Sequence, residues 1–497
     1  MQTTVHLQTL PNDLSAYDHV IVAGFKKSMH AYINHQWGGE WTGCKEITDL
    51  MMQDISETAG GQNSAFMLGQ KVTFLAQTTK VSRMNCVARP DELSKKLPGC
   101  IKADHRSLLI LCPAEEEHVT ALTTAVARAF PTFSCKQSAK IKSIDLAILC
   151  AQNSSQAPKS INESQIQDLQ AYIHGVQQAA LWVDTPPDRL NVIQMVENAR
   201  QIAVQTNSDI DVFTGETLQQ MGMGGLTAVG QAAMQEPACV VLRGPRSSSD
   251  SGQMVWVGKG IMYDTGGLSL KPKTGMGGMK MDMGGAAAVL SAFDTAAKRG
   301  LHQDVCAILC LAENAIGPSA VRNDDIITLY SGKTVEINNT DAEGRLVLGD
   351  GVAYATQHLN ADVVIDMATL TGAQLMSTGK MHAAIVCNDE MLERHAVELG
   401  RACGDLVHPL PYCPEFLSPE FKSEVADMKN SVKDRMNAQS SCAGHFVEAH
   451  LSSEGRAYQG QWLHVDIAGP AWRKERGTGY GVALLNALAE SWQKDWV

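Results

Sequence analysis

The sequence predicts an α/β protein in two parts: a small N-terminal α/β domain and a larger C-terminal α/β/α domain with a mixed, mostly parallel central sheet. Three observations point there. The chain has 497 residues, more than one ordinary domain holds. Through its second two thirds, short apolar runs alternate with segments of helical spacing, the pattern of strands paired in parallel and covered on both faces. A stretch rich in Ser, Gln and Asn, residues 152–162, separates this region from the first third and reads as a linker. The expected division is therefore residues 1–155, a linker and connecting helix over 156–185, and residues 186–497.

In the first part, His19–Ala23 and Lys71–Ala76 read as short strands, and Leu108–Cys112 and Ile144–Cys150 as buried ones. Glu116–Phe130 has helical spacing, with Val119, Leu122, Val126 and Phe130 on one side. Glu163–Val183 reads as a long helix that stops at Thr185-Pro186-Pro187, where the prolines forbid continuation. In the second part, Cys239–Leu242, Met254–Val257, Val305–Leu311, Val363–Met367 and Ala383–Cys387 are expected strands, most of them rich in β-branched residues. Between them, Ala286–Lys298, Leu346–His358 and Leu392–Cys403 are expected helices, with Gly300 where a C-cap belongs.

Composition narrows the function classes. Hydrophobic residues make up 44% and charged residues 19%, the balance of a chain with a real core. No apolar run reaches the roughly 18 residues that a spanning helix needs, so no membrane role is expected. Met1–Leu10 lacks the basic and apolar regions of a secretory signal. The 13 cysteines are odd in number and contain no C-x-x-C pair, which suits a reducing cytoplasm. Net charge is -12, and residues 1–150 hold 15 basic against 14 acidic side chains, so the acidity lies in the remainder. No basic stripe of the kind nucleic acid needs is present, and a nucleic-acid partner is not expected.

In an open α/β sheet, ligands gather at the carboxyl ends of strands. Lys259 and Asp264 follow the expected strand ending at Val257, and Thr369 and Thr371 follow the one ending at Met367. Two segments carry most of the polar residues. One runs from Val257 through Lys259, Asp264 and Lys271 to Met279-Lys280-Met281-Asp282; the other is Asn338-Asn339-Thr340-Asp341-Ala342-Glu343-Gly344-Arg345. Four carboxylates from such positions would suit hard divalent cations, which take several carboxylate oxygens, and a pair of ions needs carboxylates that bridge.

Each residue also has a plainer reading. Asp282, just before Gly284-Gly285-Ala286, can be an N-cap. Asp341 and Glu343 precede a helix, where acids favour the positive end of the dipole. Lys259 and Lys271 can be solvated turn residues, and the glycines can serve turns alone. No phosphate-loop or dinucleotide glycine pattern, no H-E-x-x-H and no G-x-S-x-G occurs. The residues by themselves lead as far as a metal-assisted hydrolase.

The run Asn339-Thr340-Asp341-Ala342-Glu343-Gly344-Arg345-Leu346 resembles, without a mismatch, the signature octapeptide of the leucine aminopeptidase (cytosol aminopeptidase) family. Gly258-Lys259-Gly260, Asp264 with Gly266-Gly267, Lys271 and Met279 to Ala287 resemble the same family in order and spacing. So do Ile365 to Ala373, Ser423 to Asn430 and His464 to Trp472. The resemblance covers roughly residues 180–497; the first third matches only in length and α/β character. Tyr263 and Thr265 stand where Phe and Ser are usual, and Ser441-Cys442-Ala443-Gly444-His445-Phe446 matches the pocket helix only loosely, which suggests a divergent branch.

The resemblance implies a metal-dependent aminopeptidase with two divalent ions per subunit, Zn²⁺ or Mn²⁺, with Mg²⁺ and Co²⁺ also compatible. Asp264 and Glu343 would bridge the ions, Asp341 would complete one site, and Lys259 and Asp282 the other. A lysine ligand must be the neutral amine, far below its usual pKa of about 10.4, a shift that an adjacent dication supplies. Water activated between the ions would attack the peptide carbonyl, with Lys271 stabilising the oxyanion and Arg345 holding a bicarbonate as general base. Met279, Thr369, Gly372 and Ala443 match positions that line the side-chain pocket, favouring Leu or Met at the N-terminus of peptide substrates. The family implies a homohexamer, a dimer of trimers, in the cytoplasm. A regulatory binding protein and an inactive relative are the competing readings; the presence of all seven expected functional residues disfavours the second.

Overall fold

The computed structural model describes residues 3–11, 13–36, 44–101, 107–136, 143–151, 159–434, 436–453 and 456–495. The chain forms two compact units, Met1–Gln177 with Gly400–Leu406, and Gln178–Leu399 with Val407–Val497. Most of the expected linker, residues 152–158, lies outside the described residues. Its end does not behave as a linker: Lys159–Ser160 pairs antiparallel with Leu149 and Cys150.

The smaller unit is built on one sheet. Its strands lie in the order Thr4–Gln8, Ser143–Ala151, Leu108–Glu115, His19–Gly24, Gln70–Ala76, Gly61–Met67. The first five are mutually parallel, and Gly61–Met67 returns antiparallel to Gln70–Ala76. The hairpin turns at Leu68-Gly69, both with positive φ, as a two-residue turn between twisted strands requires. The helix expected at Glu116–Phe130 is Val119–Ala129, preceded by a short 3-10 turn at Glu116–His118.

The larger unit contains an eight-stranded sheet ordered Val407–Pro409, Ala383–Cys387, Gln461–Asp466, Ala361–Ala368, Gln253–Asp264, Val305–Asn314, Ala238–Arg243, Asp209–Thr214. Its centre is parallel; Ala238–Arg243 runs antiparallel to Val305–Asn314, Asp209–Thr214 runs antiparallel to Ala238–Arg243 in turn, and Ala383–Cys387 runs antiparallel to Gln461–Asp466. Helices Gly284–Lys298 and Gly344–His358 are almost wholly buried, in keeping with their Ala-, Leu- and Val-rich sequences. Gly300, with φ +74, follows the first of them as its left-handed stop.

One expected boundary moves in a way that matters. The strand read as Met254–Val257 runs on to Asp264, so Lys259 and Asp264 lie on it and do not follow it. Gly258-Lys259-Gly260 interrupts the apolar run and hides the continuation. Gly258 is needed there because a Cβ would lie 2.7 Å from the Ala286 Cα, where the helix crosses the strand. Among the described residues no helix is long and apolar enough to cross a membrane.

Candidate metal centre

Three strand ends and two short loops converge. Lys259 is 2% exposed at the heart of the central strand, where a lone ammonium could not persist. Its Nζ lies 2.8 Å from Asp282 Oδ2 and 3.0 Å from Glu343 Oε1, and donates to the Thr369 carbonyl at 3.0 Å. Asp264, at the end of the same strand, places Oδ2 2.7 Å from Lys271 Nζ. Its Oδ1 accepts from the Gly266 N–H at 2.8 Å and from Asn314 Nδ2 at 2.9 Å. Lys271 Nζ also meets Asp341 Oδ1 at 2.5 Å. Asp264, Asp341 and Glu343 each offer a carboxylate oxygen, all within 4.8 Å of one another. Lys259, Asp264, Lys271, Asp282, Asp341 and Glu343 are thus brought together.

Asp282 is not the N-cap that its position suggests, while Glu343 keeps its place at a helix start. Asp282 sits in the 3-10 turn Met279–Met283, and the residue at the N-cap of the following helix is Met283. Asp282 Oδ1 instead accepts from Thr369 Oγ1 at 2.9 Å. Glu343 does occupy the N-cap of Gly344–His358, yet its side chain makes no capping bond. Its Oε2 is buried without a hydrogen-bond partner among the described residues.

The electrostatics follow from burial. Desolvation raises the carboxyl pKa of Asp282, Glu343 and Asp341, and their mutual repulsion adds to it. For Lys259 desolvation acts downward, but Asp282, Glu343 and Asp264 together outweigh it, and the net shift is upward. Lys271 is raised in the same way, by Asp264 and Glu343 against desolvation. Four carboxylates face two lysines, an excess of negative charge in a buried space, and one oxygen is orphaned. Such a donor set fits divalent cations, which would supply the missing positive charge.

Arg345 is buried and has no carboxylate partner among the described residues. Its Nη1 donates to the Asn430 carbonyl at 3.0 Å, its Nε has no partner there, and its guanidinium stacks 6.0 Å from the Phe446 ring centre. Burial pulls its pKa down to about 10, which leaves it charged at neutral pH. A buried cation with free donors is suited to a small oxyanion.

Two organising residues carry no role in the sequence reading. Asn430 Nδ2 donates to the Asn339 carbonyl at 2.7 Å and to that of Ala342 at 3.3 Å. Its Oδ1 accepts from the N–H groups of Asn338 and Asn339 at 2.9 and 3.2 Å. It therefore clamps the loop that presents Asp341 and Glu343. Asn314, at the end of its strand, joins Asp264 to the Thr340 carbonyl, 3.1 Å away. Asn430 stood within a family-like run, whereas Asn314 had no motif to mark it. The unusual Thr265 keeps a hydroxyl in use, donating to the Asn314 carbonyl at 2.7 Å.

The pocket positions are placed less uniformly. Thr369 is part of the cluster through Asp282 and Lys259. Met279 opens the 3-10 turn that carries Asp282, Gly372 opens the helix Gly372–Ser377, and Ala443 is buried in the helix Gln439–Glu448. Asp466 ties the last two elements together: its Oδ2 accepts from Thr371 Oγ1 at 2.6 Å and from Ser440 Oγ at 3.1 Å.

Known proteins share this architecture. Residues 177–486 match the catalytic domain of the cytosol aminopeptidase family, and residues 48–139 match the M17 aminopeptidase N-terminal domain 2. The chain is 47% identical over 423 residues to the Mus musculus protein named "Probable aminopeptidase NPEPL1", covering 84% of this chain and 79% of that one. It is 42% identical over 411 residues to leucine aminopeptidase 1 of Caenorhabditis elegans, covering 82% and 81%. The solved structure of the Caenorhabditis elegans leucine aminopeptidase superposes with a TM-score of 0.89 at 35% identity over 98% of both chains. Leucyl aminopeptidase from Trypanosoma brucei in complex with Bestatin gives 0.87 at 34% identity, covering 99% of this chain and 96% of that one. The bottromycin maturation enzyme BotP in complex with Mn gives 0.75 at 25% identity, covering 96% and 100%. With a family model spanning most of the larger unit and relatives aligned along more than four fifths of its length, this chain belongs to the cytosol aminopeptidase family of metal-dependent hydrolases.

Proposed function

We propose that this chain is a two-metal aminopeptidase that removes N-terminal residues, Leu or Met by preference, from peptides. The observation that carries the reading is the buried carboxylate cluster around Lys259 and Lys271, with its orphaned Glu343 oxygen. Asp264 and Glu343 would be shared by two ions, Asp341 would serve one, and Lys259 with Asp282 the other. Zn²⁺ or Mn²⁺ suits this donor set, and Mg²⁺ and Co²⁺ are compatible. The solved BotP complex with Mn supports the choice. When bound, the ions supply Lewis acidity toward the scissile carbonyl and activate water at neutral pH.

The chain's own residues do the rest. Lys259 would bind as the neutral amine, giving up its proton as a dication replaces its carboxylate partners' demand for one. Lys271 remains charged, held between Asp264 and Asp341, and donates to the oxyanion that develops on the substrate carbonyl. Arg345 holds bicarbonate as the general base, anchored by Asn430. Met279, Thr369, Gly372 and Ala443 would line an apolar pocket for the first side chain. We further propose a cytoplasmic homohexamer, a dimer of trimers, with no nucleic-acid partner, and catalytic chemistry confined to residues 186–497, beyond an N-terminal domain of 1–155 and a connecting segment of 156–185.

The test is hydrolysis of a panel of aminoacyl anilides by metal-stripped protein, before and after Zn²⁺, Mn²⁺, Mg²⁺ or Co²⁺ is restored. Turnover that appears on metal addition, highest with leucyl and methionyl anilides, is expected. No turnover with any metal and any substrate would overturn the proposal.

A further inference from the structure

The smaller unit contains a second group of metal-ligating side chains. Glu115 ends the strand Leu108–Glu115, and Glu117 and His118 follow in the 3-10 turn Glu116–His118. One ligand atom from each of Glu115, Glu117 and His118 lies within 4.8 Å of the others.

Acidic residues before a helix are ordinary, and Glu116 and Glu117 alone would be read as favouring the positive end of Val119–Ala129. His118 is what that reading leaves unexplained. It is 7% exposed, and neither ring nitrogen has a hydrogen-bond partner among the described residues. It stands at the N-cap of Val119–Ala129 but makes no side-chain capping bond, and neither does Glu115 ahead of the 3-10 turn. Its Nε2 lies 3.3 Å from Glu117 Oε1 without forming a hydrogen bond. The Phe25 ring, immediately after the strand His19–Gly24, packs edge-on against the imidazole with centroids 5.8 Å apart and fixes its plane. A buried imidazole whose ring nitrogens make no hydrogen bond, with two carboxylates within 4.8 Å, costs stability unless a further partner satisfies it.

The topology favours the same spot. From His19–Gly24 the chain crosses to the edge strand Gly61–Met67, turns back into Gln70–Ala76 beside His19–Gly24, then passes to Leu108–Glu115 on the other side and continues outward to Ser143–Ala151. The strand order therefore reverses between His19–Gly24 and Leu108–Glu115. The crevice at the carboxyl ends of strands flanking such a reversal is where parallel sheets receive ligands. Glu115, Glu117, His118 and Phe25 are the residues found there.

We propose that Glu115, Glu117 and His118 form a divalent-cation site of the Zn²⁺ class at the switch point of the smaller unit's sheet. One imidazole nitrogen with two carboxylates is a common Zn²⁺ donor set that leaves a position for water, and the nitrogen disfavours Mg²⁺ and Ca²⁺, which prefer oxygen alone. Glu117, whose side chain is 75% exposed, is the flexible arm that closes on the ion. The inference does not depend on the acidic cluster of the larger unit.

The experiment uses the full chain and Zn²⁺ alone. Wild type, Glu117→Gln and His118→Asn are dialysed to equilibrium against buffered free Zn²⁺, and bound metal per chain is measured by elemental analysis. Each variant is expected to hold one Zn²⁺ fewer per chain than wild type, and a tenfold excess of Mg²⁺ is expected not to displace that ion. Because Glu117 is largely exposed, its replacement leaves folding intact, so it decides the matter even where His118→Asn disturbs packing. Equal Zn²⁺ per chain in wild type and Glu117→Gln would overturn the proposal, as would displacement of the ion by Mg²⁺.

Discussion

Arg345 donates from Nη1 to the backbone carbonyl of Asn430, 3.0 Å away, and no carboxylate claims the rest of its guanidinium among the described residues. One nitrogen anchors the side chain while its charge remains available. If that charge holds bicarbonate as general base, hydrolysis in bicarbonate-free buffer rises when bicarbonate is added. Arg345→Ala is expected to lower kcat by about 10²–10⁴-fold, the range of a general base, and to abolish the bicarbonate response. A steady-state titration of bicarbonate against both proteins checks this; full activity in the variant would count against the role.

The side chain of Asn430 makes four hydrogen bonds to the backbone at Asn338, Asn339 and Ala342. Asn430→Ala leaves these groups unpaired in a buried place. The expected cost is about 2–4 kcal/mol, several net hydrogen bonds with partial rescue by water. Metal affinity falls with it, because Asp341 and Glu343 ride on the clamped loop. Denaturant unfolding and metal titration on the same variant measure both, and a stability loss without weaker metal binding would separate the clamp from the site.

The sequence legibly carried the carboxylates and lysines of this centre because chain order alone displays the octapeptide and its companions. It could not decide whether the side chains of Asp282 and Glu343 cap helices or join the buried cluster. That depends on Thr369 turning Asp282 away from a helix start, and on the burial of Glu343 Oε2, both long-range facts. The central strand was cut short because Gly258-Lys259-Gly260 reads as a turn until its lysine is seen neutralised by carboxylates from two other elements. The edge strand Asp209–Thr214 escaped notice for the opposite reason. It is half-exposed, so its alternating polar residues form no apolar run. Asn314 gives no local signal, since its role exists only where two segments meet.

Gly344 opens the helix behind the cluster, and a Cβ there would lie 2.7 Å from Lys259 Cδ, Cε and Nζ. Ala for Gly in a helix normally stabilises by up to about 1 kcal/mol. Gly344→Ala is expected to show no such gain and to displace the Lys259 amine. A misplacement approaching an ångström costs about 10²-fold in rate. Comparing kcat and the thermal midpoint of wild type and variant tests this, and a more stable variant of unchanged kcat would refute the crowding.

His450 supplies a pH prediction. It is buried, with Nδ1 2.7 Å from Ser331 Oγ, its ring 4.8 Å from the Phe446 ring, and Lys333 nearby. Burial first, and then the Lys333 charge, pull its pKa from 6.5 down to about 3. The sign follows from proton counting. Below pH 6.5 the unfolded chain takes up a proton that the folded chain refuses, so stability is full above that pH and falls as pH drops toward 3. The limiting slope from this one group is about 1.4 kcal/mol per pH unit. His450→Gln is expected to lower stability at pH 7.5 by about 1–3 kcal/mol through the lost Ser331 bond and altered packing. It should also flatten the decline between pH 6.5 and 4.5. Urea midpoints across that range for both proteins give the comparison, and parallel curves would show that His450 is not the group being protonated.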